Sequence, residues 1–239
     1  MAQFQTRPYG ATAGLAIDQG LRAYMNKIYG LMSVAMLVTG GVAWSVGTSP
    51  QLVSAIFGTP LKWVVMIGIF VMSFALPAMV NRMSVAAAQL AFYVYAALFG
   101  VFMSVIFVVY TQASIAETFL VTAIAFAGLS IYGYTTKRDL TPIGSFLVMS
   151  VWGLIVAGIV NMFMQSSALN FAISAFGVVV FAGLTAWDTQ KLKSDYVAHA
   201  RASDEEWLGK SAVLGALTLY LDFINMFLYL LRFLGNQRN

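Results

Sequence analysis

The stretch LYLDFINMF, residues 219–227, places the carboxylate of Asp222 inside a long apolar segment. That segment covers residues 211–233, so Asp222 lies about 16 Å from either end of a helix with a rise of 1.5 Å per residue. In a hydrocarbon core about 30 Å thick, this depth is near the middle of the bilayer. An ionisable side chain is costly there and usually faces a partner, a cavity or an ion path. Asp222 is therefore the first candidate functional residue.

The composition indicates that most of the chain is surrounded by lipid. Of 239 residues, 60% are hydrophobic and 9% are charged, whereas about a quarter of the residues of a soluble domain are charged. The sequence has no cysteine, which excludes disulfides and thiolate catalysis, and His199 is the only histidine, which argues against a zinc site. We predict a protein without a cofactor and without a nucleic-acid partner, because its basic residues cluster at helix ends.

Seven apolar segments account for most of the length. They are Ile28–Val46, Leu61–Val80, Val85–Tyr110, Ala116–Tyr134, Ile143–Met164, Phe171–Gln190 and Ser211–Phe233. Each is close to the ~20 residues that a spanning helix needs, and none shows the alternation of a membrane barrel strand. The prediction is an all-α integral membrane protein, with a mobile cytoplasmic tail over residues 1–20 and a single seven-helix domain over residues 21–235. The first helix is expected to be retained, because its apolar run exceeds that of a signal peptide.

The basic residues indicate the orientation. If all seven segments span, one side collects Arg7, Arg22, Lys27, Arg82, Lys137, Arg138, Lys191, Lys193, Arg201 and Lys210. The other side collects Lys62, Arg232 and Arg238. This bias predicts a cytoplasmic amino terminus. The last segment has two interpretations: its length favours a full span, while Arg232 and Arg238 would fit a re-entrant element whose carboxyl end returns to the inside.

A second carboxylate is expected at the depth of Asp222. The sixth segment ends in AWDTQ, residues 186–190. If that helix continues to about Ala198, Asp188 lies roughly 15 Å below its end, and Asp222 lies roughly 18 Å below the start of the next helix. The two side chains can then meet on adjacent antiparallel helices. The alternative is that Asp188 lies near the interface and Asp222 bonds a neighbouring hydroxyl.

Such a pair would have a defined chemistry. Two carboxylates in contact cannot both ionise cheaply in a low dielectric, so they titrate as a unit and hold a shared proton or a hard cation. Calcium is the cation predicted, because it accepts carboxylates, carbonyls and water in flexible geometry. Two carboxylates alone make the weak, transient site that a conduction path needs.

Other residues are expected to support this site. Arg82 closes the second helix on the side of Asp188 and is the candidate gate latch, because a guanidinium forks onto a carboxylate. The alternative is that Arg82 only extends its charged end to the membrane surface, as one of the basic residues of the cytoplasmic side. Gly153 and Ala157, four residues apart, are predicted to form a small face for helix packing. The alternative is that Gly and Ala are simply frequent in membrane helices.

Three motifs carry a resemblance to a known family. They are SIYGYTTKRDL at residues 130–140, AWDTQ at residues 186–190 and LYLDFIN at residues 219–225. The chain resembles the bacterial branch of the Bax inhibitor family, also called the transmembrane Bax inhibitor motif family, over about residues 20–235. The resemblance implies six helices around a central seventh and a pH-sensitive calcium leak. It also implies that Asp188 and Asp222 are the pH sensor and that Arg82 latches the first aspartate.

The leading hypothesis is thus a calcium leak channel or slow exchanger, without enzymatic chemistry, in a bacterial inner membrane. Its partners would be the lipid bilayer and the calcium ion. The alternative is a membrane-embedded regulator that binds and restrains another membrane protein, such as a protease or a stress factor. An intramembrane aspartyl protease is disfavoured, because the Tyr-Asp and Gly-x-Gly-Asp contexts of those enzymes surround neither Asp188 nor Asp222.

Overall fold

A computed structural model describes the backbone of residues 9–199 and 205–238. The helices in these ranges are α1 (Tyr9–Gly47), α2 (Pro50–Phe57), α3 (Leu61–Met79), α4 (Val85–Met103), α5 (Ile106–Val109), α6 (Gln112–Thr135), α7 (Thr141–Met164), α8 (Ser167–His199) and α9 (Glu205–Leu234). A single 3-10 turn, Val80–Arg82, follows α3. Within the described ranges the only extended pairing is an isolated bridge between Tyr110 and Gln237.

Seven helical stretches in the described part of the chain are long and apolar enough to cross a membrane. They are Asp18–Gly47, Leu61–Arg82, Val85–Val109, Gln112–Thr135, Thr141–Met164, Ser167–His199 and Glu205–Leu234. Each contains or closely overlaps one apolar segment of the sequence. The prediction of an all-α membrane bundle with seven spanning helices is therefore confirmed.

The first helix begins well before its apolar run. Helix α1 starts at Tyr9, although the run starts at Ile28. Of the predicted tail over residues 1–20, residues 1–8 lie outside the described ranges and residues 9–20 are the first turns of α1. The boundaries of the tail and of the membrane domain remain predictions.

Helix α9 is the centre of the bundle, as predicted. In its most apolar window 67% of the residues are buried, against at most 39% in the other six stretches. It packs most extensively on α8 and also on α1, α6 and α4. Small residues let three of these neighbours approach closely: Gly209 lies against Val85 of α4, and Gly215 lies against Leu192 of α8 and Ile28 of α1.

The end of α9 distinguishes the two interpretations of the last segment. The helix runs without a break over 30 residues, which is about 45 Å. Its carboxyl-terminal extension is fixed to the corner before α6, where the Thr111 amide donates to the Asn236 carbonyl at 3.1 Å and the Arg238 amide donates to the Val109 carbonyl at 2.9 Å. The extension therefore lies at the end of the bundle opposite the start of α9, which fits a full span and not a re-entrant loop.

Glycines mediate helix packing near Asp188, but Gly153 does not. Gly153 is exposed, and a Cβ atom there would meet nothing within 4 Å, so the prediction of a packing face at Gly153 is wrong. Instead, Gly133 of α6 lies against the backbone of Ala186, and Gly144 of α7 lies against the indole of Trp187. Helices α6 and α7 thus both contact α8 in the turn that precedes Asp188.

Candidate functional site

Asp188 and Asp222 are buried on the two helices with the largest mutual contact. Only 8% of Asp188 and 5% of Asp222 is exposed, and both lie well inside their helices, α8 and α9. Because consecutive helices joined by a short connection run antiparallel, the two residues reach the same depth from opposite directions. Asp188 is thus enclosed by protein, and its depth relative to the membrane interface stays a prediction.

The two carboxyl groups meet. They are within hydrogen-bonding contact of each other. The Oδ2 atom of Asp222 is buried and has no hydrogen-bond partner among the described residues. Buried polar atoms nearly always have a partner, so this oxygen is a position that a proton or a cation can satisfy. Lys191, one helical turn beyond Asp188, is the nearby cation whose charge acts on that carboxylate.

The hydroxyl groups next to the pair are already engaged. Thr189 Oγ1 donates to the Thr185 carbonyl at 2.8 Å, and Thr185 Oγ1 donates to the Phe181 carbonyl at 2.8 Å. The amide of Asn225, one turn after Asp222, donates to the Leu221 carbonyl at 2.8 Å. These side chains bond their own helices, so the partner of Asp222 is Asp188 and not a neighbouring hydroxyl.

The site offers few protein ligands to a cation. The described residues hold no group of three or more His, Cys, Asp or Glu side chains that could bind a metal ion. A cation at this pair would therefore have two carboxylates from the protein, with water or carbonyl oxygens to complete its shell. Calcium tolerates such irregular oxygen sets better than magnesium, which demands near-octahedral geometry.

Arg82 does not contact the pair in this arrangement. It is exposed at the end of the 3-10 turn, and no ion pair joins it to a carboxylate within the described part of the chain. The corner that carries it is attached to the start of α9, because Lys210 Nζ donates to the Asn81 carbonyl at 3.1 Å while pairing with Glu206 at 2.8 Å. The role of Arg82 as a latch stays a prediction, and it requires a second arrangement of this corner.

Gln190 connects two of the sequence motifs, a role that the sequence did not reveal. Its Oε1 atom accepts from the Leu140 amide at 2.8 Å, and its Nε2 atom donates to the Arg138 carbonyl at 2.7 Å. Lys193 Nζ donates to the Tyr134 carbonyl at 2.7 Å and lies over the ring of Tyr134. The helix of Asp188 therefore holds the loop between α6 and α7 through Gln190 and the end of α6 through Lys193.

The same loop carries an exposed carboxylate that is useful as a reference. Asp139 Oδ1 accepts from the Thr141 amide at 2.9 Å, at the first residue of α7. Hydrogen bonds from the side chain and the amide of Thr141 hold the pKa of the Asp139 carboxyl below its usual range. Asp139 is thus an ionised carboxylate that lies outside the spanning segments, whereas Asp188 and Asp222 lie within them.

Replacing Gln190 by Leu should release the loop between α6 and α7. The change leaves the Leu140 amide and the Arg138 carbonyl without their side-chain partner, which costs about 1–3 kcal/mol where the groups are shielded from water. We expect faster hydrogen exchange at the Leu140 amide and a lower free energy of unfolding. In Gln190→Glu, which keeps the acceptor for Leu140, the Leu140 amide should exchange more slowly than in Gln190→Leu. Equal exchange in the two variants would contradict this role.

The fold and the site define the class of the protein. It is an all-α integral membrane bundle with a pair of carboxylates, one on the central helix α9 and one on the adjacent helix α8. The chain belongs to the Bax inhibitor family: the family model described as "Inhibitor of apoptosis-promoting Bax1" matches residues 21–239. The resemblance carried by the three motifs is therefore confirmed.

Proteins from several bacterial species are similar over nearly the whole chain. The inner membrane protein YbhL of Escherichia coli strain K12 is 46% identical over 223 residues, which cover 92% of this chain and 94% of YbhL. An uncharacterized protein of Borreliella burgdorferi is 46% identical over 218 residues, 90% of this chain and 93% of that protein. An uncharacterized membrane protein of Streptococcus pyogenes serotype M3 is 34% identical over 227 residues, 92% of this chain and 95% of that protein.

Proposed function

We propose that the chain is a pH-sensitive calcium leak channel or slow exchanger whose working site is the pair Asp188 and Asp222. The observation that carries the proposal is the contact of two buried carboxyl groups, one with an oxygen that has no hydrogen-bond partner among the described residues. Carboxylates inside a membrane bundle are expensive and typically mark ion or proton pathways. A purely structural polar pair would instead have all its buried atoms satisfied.

Competition between protons and calcium explains the proposed pH sensitivity. Two carboxylates in contact need a proton or a cation between them, because their like charges repel strongly in a low dielectric. Both ligands use the same oxygens, so mild acid displaces calcium from the pair. The small number of ligands keeps calcium binding weak, and a conducting site must release its ion.

Replacing either aspartate by Asn should reduce calcium flux. Asn keeps the shape of the side chain but removes half of the charge that attracts the cation, so we expect flux into proteoliposomes to fall by roughly tenfold or more. The measurement compares wild type, Asp188→Asn and Asp222→Asn at neutral and mildly acidic pH, with protein-free liposomes as the baseline. Unchanged flux and unchanged pH response in both variants would refute the proposed mechanism.

Arg82 is the proposed latch of the closed state. Its guanidinium would bind ionised Asp188 and close the mouth of the site, and protonation of the pair would release it. Acid then opens the latch but also removes the calcium ligands, so the two effects oppose each other and flux should peak at intermediate pH.

The latch predicts that Arg82→Gln raises calcium flux at neutral pH by about tenfold, the equilibrium effect of a charge-assisted hydrogen bond worth about 1.5 kcal/mol. The matched control is Lys137→Gln, which removes an exposed cation from the same end of the bundle. A rise of the same size in the control would show that surface charge, and not the latch, sets the flux.

We also propose that the amino terminus faces the cytoplasm of a bacterial inner membrane. The support is the excess of Lys and Arg at the end where α3, α6 and α8 finish. YbhL is named as an inner membrane protein. Labelling of a cysteine introduced at Asn236 by an impermeant maleimide in intact cells tests this orientation, since the native chain has no cysteine.

A regulator that restrains another membrane protein is the alternative function. The description of the family model names an inhibitor of another protein, Bax1. Deletion of residues 1–8 discriminates the two, because it spares α1: a leak should keep conducting, while an adaptor that binds through this tail should lose its effect on the partner. An effect on the partner that disappears with the tail, together with no calcium flux by the full chain, would favour the regulator.

A further inference from the structure

A cavity of about 1080 Å³ opens between α1 and α6. Phe223 of the central helix lines it, together with Phe119 and Phe126 of α6, and the Phe223 ring contacts both of those rings, at 5.5 and 5.4 Å between centroids. Its size is slightly above that of most ligand pockets, which measure about 300–1,000 Å³. Neither Asp188 nor Asp222 is among its lining residues.

The packing of the bundle explains why the cavity exists. Helix α1 packs on α4 and α9, and α6 packs on α8 and α9. Among the described helices, α1 and α6 therefore share the support of α9 without packing extensively on each other. Gly40 and Gly41 of α1 line the cavity, and a Cβ atom at either would meet nothing within 4 Å.

The lining is polar at one end and apolar along the rest. Arg22 and Asn26 of α1 and Ser130 and Tyr134 of α6 lie at the end of the bundle where α6 finishes, here called the basic end. From Arg22 the cavity follows α1 to Gly41, which is about 29 Å of helix. Beyond its first turns the lining is mostly methionine, leucine, alanine and phenylalanine. This is the polarity profile of an amphiphile with its head at the basic end.

Ser130 points to a ligand independently of the shape. It is 5% exposed, lines the cavity, and its Oγ atom has no hydrogen-bond partner in the described structure. Ser130 lies five residues before the end of α6, or about 7 Å inside it. A serine in an apolar helix ordinarily bonds the carbonyl four residues earlier, as Ser145 and Ser150 do in α7. The free hydroxyl can therefore donate to a carbonyl of a bound molecule.

We propose that this cavity is a binding site for one anionic glycerophospholipid from the leaflet at the basic end. Arg22 binds the phosphate, Ser130 donates to an ester carbonyl, and the acyl chains lie along α1 and α6. Arg22 is exposed and has no ion pair with a described carboxylate, so its charge is available. Basic residues at such positions favour anionic lipids by about 1 kcal/mol each. The proposal does not depend on calcium conduction.

Native mass spectrometry of the full chain in detergent tests the site. The probe is an equimolar mixture of phosphatidylglycerol and phosphatidylcholine with matched chains. Wild type should retain one phosphatidylglycerol in preference to phosphatidylcholine. Arg22→Gln should reduce this preference about fivefold, whereas Lys27→Gln, on the same helix but outside the lining, should leave it unchanged.

A second pair of variants tests the cavity itself. Gly40→Phe places a ring in the open space of the cavity and should lower retention of both lipids. Gly30→Phe is the matched control, since a Cβ at Gly30 also meets nothing within 4 Å and Gly30 is outside the lining. Three results would each overturn the proposal. The first is equal lipid retention by each variant and its matched control, the second is no preference of wild type for phosphatidylglycerol, and the third is a polypeptide retained in place of lipid. Lipid retention is measured without calcium flux. A negative result here would therefore refute the lipid site and leave the proposed leak untouched.

Discussion

Replacement of Gly133 by Ala is expected to lower the free energy of unfolding by about 2–3 kcal/mol, the cost of overpacking a filled contact. The added methyl group would collide with the backbone carbonyl of Ala186 on α8. A backbone carbonyl cannot rotate away as a side chain can, so α6 and α8 must separate. Because Ala186 precedes Asp188 by two residues, the separation should also disturb the carboxylate pair.

The matched control for this variant is Gly128→Ala in the same helix. A Cβ atom at Gly128 meets nothing within 4 Å, so the substitution should be neutral or slightly stabilising, as Ala is the better helix former. Thermal unfolding of both variants in the same detergent checks the difference, which we expect to be about 5 °C or more. Equal melting temperatures would mean that the contact between α6 and α8 is looser than described.

The second prediction with a large expected effect concerns the pH response of calcium flux, which should depend on Asp188 and Asp222 together. If Asp188 and Asp222 share one proton or one cation, each single Asn variant should lose nearly as much pH response as the double variant. Groups that act together are strongly non-additive, because removing either one removes the shared function. Calcium flux into proteoliposomes should therefore be almost independent of pH in Asp188→Asn, in Asp222→Asn and in the double variant.

Asp139→Asn controls for the loss of a carboxylate as such. Asp139 is exposed and accepts a hydrogen bond at the start of α7, and Asn serves almost as well as Asp at such a position. Its flux and pH response should match wild type. Losses in the two single variants that add up to the loss in the double variant would show two independent titrating sites, contrary to a shared one.

Much of the architecture was predictable because lipid imposes simple rules. Apolar runs of about 20 residues identify spanning helices, and a fixed rise per residue was enough to place Asp188 and Asp222 at one depth on neighbouring helices. That estimate led to the contact that the structure shows. The central position of the last helix came instead from the family resemblance.

The features that the sequence did not reveal depend on which way a side chain faces. Gly133 and Gly153 are both glycines in apolar helices, yet one lies against a neighbouring backbone and the other faces outward. Gln190 follows Asp188 by two residues, but its hydrogen bonds go to a loop about 50 residues earlier in the chain. The cavity beside Arg22 arises because two helices do not pack together. Hydrophobic pattern and depth do not encode these tertiary relations.

The exchange of protons for calcium at Asp188 and Asp222 is the central claim, and calorimetry measures it directly. Calcium is titrated into the purified protein at one mildly acidic pH in two buffers that differ in ionisation enthalpy. A difference in heat reports the protons released per calcium bound, since binding to a site that holds a proton must displace it. The account predicts proton release by wild type and none by Asp222→Asn. Calcium binding without proton release in wild type, or equal release in both proteins, would contradict it.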